Sequence, residues 1–119
     1  MQAALWVSLG GALGTLGRYL TGLAVAGAGG PAWGATLAVN VLGAFAMGAV
    51  VGSGAAGTPR LFLATGVLGG FTTFSALTLD AATLGEAGGA LRAAVYVGAS
   101  AGLGVGAFAL GRLAARGLA

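Results

Sequence analysis

The sequence predicts an all-α integral membrane protein: four transmembrane helices, the third broken mid-membrane. Three observations carry that expectation. First, the 119 residues are 58% hydrophobic and only 6% charged, with a mean hydropathy of +1.01. Soluble domains carry about a quarter charged residues, and a small soluble core buries too little surface to hide this much apolar area. Second, four apolar runs, each near the ~20 residues that cross a bilayer, use up the length and leave a single four-helix domain over residues 1–119. Third, the stretch GVLGGFTTFSALTL at 66–79 sets two adjacent glycines before Thr72, Thr73 and Ser75 inside one of those runs.

The first span covers about 3–25. No basic segment precedes it and it is longer than the apolar part of a secretion signal, so it reads as a span and not as a cleaved leader. Residues 27–31 (GAGGP) form a turn. The second span, 33–52, opens on Trp33, an aromatic placed for the membrane interface. A turn at 54–59 precedes the third span, about 60–84. Residues 85–89 link it to the fourth, about 91–114. Small residues allow helices to approach closely in lipid, which accounts for the 26 glycines.

Function classes fall away on composition. Cysteine and histidine are absent, which removes disulfides, thiolate nucleophiles and most zinc chemistry. The only carboxylates, Asp80 and Glu86, fall toward a span end and form no catalytic pair. The net charge of +3 comes from five arginines, too few and too scattered for a nucleic-acid surface. With both termini on one side, Arg60, Arg112 and Arg116 face Arg18 and Arg92 across the membrane. Three against two hardly selects an orientation. Insertion both ways up, and pairing of opposed copies as an antiparallel, dual-topology homodimer, follow as expectations.

Polar residues inside the spans are the candidate site. Asn40 is the only asparagine and must find partners in hydrocarbon. It reads either as helix–helix glue or as an amide donor lining an anion path, on one face with Thr36 and Gly43. Tyr96, Ser100 and Gly104 form a second stripe, either back-bonded to their own helix or a hydroxyl track for a partly dehydrated ion. Gly69-Gly70 weakens the third helix, so the span is expected to uncoil at its double glycine. The alternative is a crossing point that merely needs glycine. An uncoiled turn offers carbonyls to a cation such as Na⁺ and N–H groups to an anion. Thr73 and Ser75 add hydroxyls. Phe74 reads as core packing or as a ring edge, which is weakly positive, turned to an anion.

GGALGTLGRY at 10–19, NVLGAFAMG at 40–48, GVLGGFTTFS at 66–75 and YVGAS at 96–100 together resemble the Fluc (CrcB) fluoride channel family over nearly the whole chain. The resemblance implies an antiparallel homodimer in the cell inner (plasma) membrane, surrounded by lipid. It would carry two passive fluoride pores and a central structural sodium ion. Gly69 and Thr72 would give the sodium carbonyls. Asn40, Phe74, Tyr96 and Ser100, with Thr36, Ser75 and Leu77, would face the pore, and Arg18 its aqueous vestibule. The family motif continues Ser-Thr-Phe where this chain has Ser75-Ala76-Leu77, so an aliphatic side chain stands in place of the second ring. Two rivals remain. A structural four-helix membrane subunit would need only the small-residue packing. A small multidrug exporter would need a mid-span carboxylate.

Overall fold

The computed structural model describes residues 1–117. It is helical almost throughout, with no strand among the described residues. Helix α1 spans Gln2–Gly27 and α2 spans Ala32–Gly52. Segment α3 covers 57–71: an α-turn at Gly57–Arg60, a π-helical stretch at Leu61–Leu68, and a last α-turn at Gly69–Phe71. Helix α4 spans Phe74–Gly88 and α5 spans Ala90–Gly117. Gly29 and Gly89, with φ of 75° and 84°, make the turns after α1 and α4, a backbone conformation that costs glycine nothing. The longest dimension is 45 Å, comparable to a bilayer of about 40–45 Å with its headgroups.

Among the described residues, three segments are long and apolar enough to cross a membrane: Ala32–Gly52, Gly57–Gly88 and Ala90–Gly117. The chain is therefore a multi-pass membrane protein. Helix α1 has the length, at 26 residues, but it is less apolar. Gln2, Ser8, Thr15, Arg18 and Thr21 dilute its leucines.

The apolar side chains point outward. Among the described hydrophobic residues only Val39, Leu68 and Tyr96 are buried, while Leu5, Leu9, Leu13, Leu16, Leu20 and Leu23 stand exposed along α1. Lipid tails are as apolar as leucine and would give no reason to bury such a ridge. Two glycine seams hold the interior. A Cβ on Gly10 would lie 2.5 Å from the Phe62 carbonyl of α3, and one on Gly70 would lie 2.5 Å from the Gly11 carbonyl of α1. On the other side, Gly48 of α2 rests on the Phe108 carbonyl, and Gly111 of α5 rests on the Phe45 carbonyl.

The third span is broken, but not at its double glycine. Gly69 and Gly70 are helical. The chain leaves the helix at Thr72 (φ −79°, ψ 158°) and Thr73 (φ −152°, ψ 123°). The physical reason is the α1 seam: Gly70 is needed for close approach to Gly11, and that packing rewards a regular helix. The threonines, which can hydrogen-bond their own neighbourhood, take the break instead. The π-helical winding upstream, a rare form, has no signal in the sequence.

Gly14 and Gly11 provide a matched test. A Cβ on Gly14 would collide with the Val67 carbonyl, whereas one on Gly11 would meet nothing. Gly14→Ala should lose about 1–3 kcal/mol from overpacking. Gly11→Ala should be neutral or gain up to about 1 kcal/mol from helix propensity. Thermal unfolding of both variants in detergent checks the contrast.

Candidate functional site

The break presents two peptide groups that would otherwise be unpaired at membrane depth, and two side chains, Asn40 and Arg18, take them up. The Asn40 amide pairs with both backbone groups of Thr73: its Nδ2 donates to the Thr73 carbonyl at 3.0 Å, and its Oδ1 accepts from the Thr73 N–H at 2.8 Å. Arg18 Nη1 donates to the Thr72 carbonyl at 3.2 Å. The Thr73 hydroxyl accepts from the Ala76 N–H at 3.2 Å and so caps α4. Gly43, one turn from Asn40 on α2, leaves room for the Thr72 methyl group. Thus α2 receives the break through one face, with Thr36 and Gly43 buried on it. Asn40 acts as glue between α2 and the break, and it keeps one further N–H for another acceptor.

Asn40, Thr72, Thr73, Phe74, Leu77 and Ser100 line one groove of about 370 Å³. Phe74 stands 77% exposed at its lip, so its ring is not core packing within the protomer. Ser100 is 6% exposed, and its hydroxyl has no hydrogen-bond partner. A buried hydroxyl without a partner is costly, and this one lies on the wall of the groove. It is not back-bonded to its own helix, as the structural reading of the α5 stripe would require. Thr36 does bond back, to the Ala32 carbonyl at 3.5 Å, and lines a second cavity of about 290 Å³ together with Arg18, Val39, Thr73 and Ala76.

Two other predicted residues, Tyr96 and Ser75, line neither cavity. The Tyr96 hydroxyl donates, at 3.4 Å each, toward the Trp33 carbonyl and Asp80 Oδ2, and its ring meets Trp33 edge-on at 6.1 Å. Asp80, expected near a span end, therefore reaches inward to the fourth span. Ser75 is exposed and bonded to the Thr73 hydroxyl at 3.1 Å. The sequence marks Thr73 as a local partner for freed backbone groups and as one possible donor, not as the residue that α2 grips. The helix-start signature of a threonine three residues ahead of Ala76 could have marked it as the N-cap.

Among the described residues no cluster of His, Cys, Asp or Glu could hold a metal, so a cation here would depend on main-chain oxygens. Gly69 fits. With the Thr73 N–H turned to Asn40, the Gly69 carbonyl loses the donor that an unbroken helix would supply. The Thr72 carbonyl has the right chemistry for a hard monovalent cation and carries the Arg18 guanidinium.

Residues 5–112 match the family described as CrcB-like protein, Camphor Resistance (CrcB). This chain belongs to the CrcB family. Among CrcB relatives, a protein of Ruegeria sp. (strain TM1040) is 52% identical over 117 residues, covering 94% of this chain and 93% of its own length. One of Cereibacter sphaeroides is 49% identical over 98% of this chain and 97% of its own length. One of Rhodospirillum centenum is 50% identical over 89% of each. All three are called "Fluoride-specific ion channel FluC".

Removing the Asn40 amide strands two peptide groups, whereas removing the Thr73 hydroxyl loses one cap. Asn40→Ala should cost about 2–4 kcal/mol and Thr73→Val about 1 kcal/mol. Thermal denaturation of the purified protein ranks them, and equal losses would refute the bracing role of Asn40.

Proposed function

We propose that the chain is a fluoride-selective passive channel exporting cytoplasmic fluoride across the cell inner membrane. It works as an antiparallel homodimer with four spans per copy, two pores and a central structural sodium ion. The observation that carries this reading is a buried Ser100 hydroxyl without a hydrogen-bond partner, on a residue that lines one groove with Asn40 and Phe74. The names of the relatives point the same way. They describe transport and not catalysis.

Fluoride is small and strongly hydrated, so a path through lipid must replace its water with donors. Ser100 offers a hydroxyl that has no partner at hydrogen-bond geometry in the protomer. Asn40 offers its second N–H without adding a full charge. Phe74 contributes the weakly positive rim of its ring. Leu77 adds bulk but no such rim, so hydroxyl and amide donors carry more of the stabilisation here than in a groove with two rings. Neutral donors bind an anion well enough for it to enter and weakly enough for it to leave. No carboxylate lines this groove, which favours flux down a gradient over proton-coupled exchange.

The exposure of Phe74 supports pairing, because its ring would be covered by an opposed copy, and the even spread of arginines permits both orientations. Sodium would be held by the Gly69 and Thr72 carbonyls of both copies, neutralising oxygen dipoles gathered at the two breaks. Thr36 and Arg18 would face the aqueous approach, where a cation raises local anion concentration. Tyr96 would sit at the far end of the α5 stripe.

Fluoride efflux from liposomes tests the reading. Wild type should release fluoride and retain chloride. Asn40→Asp, which adds negative charge and opposes the Thr73 carbonyl, should release none. Ser100→Ala should slow efflux by roughly tenfold or more, the worth of a hydrogen bond to a charged group, with no loss of thermal stability because no protein bond is removed. Unchanged efflux in Ser100→Ala removes that hydroxyl from the path. Leu77→Phe reports what the aliphatic wall does to the rate.

A further inference from the structure

The Thr72 carbonyl, proposed above as a sodium ligand, already has a cation on it. Arg18 Nη1 lies 3.2 Å from that oxygen. The guanidinium is charged at every relevant pH, and its hydrogen bond goes to the main chain; the two carboxylates of the chain, Asp80 and Glu86, both lie on α4. On its other side, Arg18 borders the cavity of about 290 Å³ shared with Thr36 and Thr73. The side chain thus has two places to be: on the carbonyl, or in the cavity.

We propose that Arg18 substitutes for the metal in a protomer without sodium, satisfying the Thr72 carbonyl, and leaves for the cavity when the ion binds between two copies. This rests on the reading of the protein as a sodium-bridged pair. A sodium ion on the same oxygen would lie about 5 Å from the guanidinium, close enough at an effective dielectric near 20 to weaken ion binding by roughly a few hundredfold before screening. Moving Arg18 into the cavity relieves that repulsion. It also places the positive charge where an entering anion would meet it. Metal binding and anion attraction are then linked, and the coupling is reciprocal.

The test is the dimer fraction of the purified protein in detergent, titrated with sodium at constant ionic strength against a bulky organic cation. Arg18→Met should lower the sodium midpoint by about tenfold or more relative to wild type. Arg18→Lys, which keeps the charge, should stay near the wild-type value. Arg18→Gln carries the same expectation as the methionine variant should that one fail to fold. A purely structural role for Arg18 would weaken the dimer at every sodium concentration and raise the midpoint. A raised or unchanged midpoint in the neutral variants, with wild type still responding to sodium, overturns the substitution proposal alone. A wild-type dimer indifferent to sodium overturns the metal reading and the substitution with it.

Discussion

A helix interrupted inside a membrane leaves peptide groups that water cannot reach, and the fold turns on how they are met. The Asn40 side chain does most of this. Its amide turns one N–H and its carbonyl oxygen, in the same plane, to Thr73 and docks there as a neighbouring β-strand would. Irregular backbone at membrane depth is tolerated only when it is buried in protein or lines a cavity. Here it does both: one side is bonded to α2, the other opens on the groove beneath Phe74. With the amide in place, Thr73 can cap α4 and Gly69 is left with a free carbonyl. Polar atoms become available to an ion as a by-product of keeping the break stable.

The same economy explains why α2 is the central element. It meets α5 through Gly48 and receives the break through Asn40 and Gly43. The α1–α3 pair forms a second unit, closed by Gly10, Gly14 and Gly70. Arg18 joins that unit to the break. The two cavities lie on either side of Thr73, which lines both. A shift of that one residue would therefore be felt in the groove and in the approach to it.

Much of this was legible in the sequence. Apolar length and glycine or proline turns marked the helices to within a few residues, because in lipid an uncapped polar backbone has no alternative to the helix. The break was legible in kind and misplaced by two or three residues. Gly69-Gly70 weakens an isolated helix, but α1 lies against Gly70 and rewards regular winding there. Asn40 stood out as the lone amide, whereas its partner could not be read, since Thr73 lies 33 residues away and nothing local announces the pairing. Ser100 was found by spacing from Tyr96. Only the packed structure shows that one hydroxyl of that stripe is unpartnered while the other is drawn toward Trp33 and Asp80. For α1, length was read correctly, but its glycine, serine and threonine content leaves it less apolar than a typical span.

The glycine seams also govern how this protein can diverge. In water-soluble proteins the large core residues resist substitution and the surface drifts. Here the leucine ridge of α1 is exposed, so isoleucine, valine or phenylalanine would serve equally well there. Immutability concentrates instead in residues with no side chain at all, where main chain rests on main chain and a single methyl group is too much. Lineages of such a protein should therefore keep their smallest letters and exchange their largest.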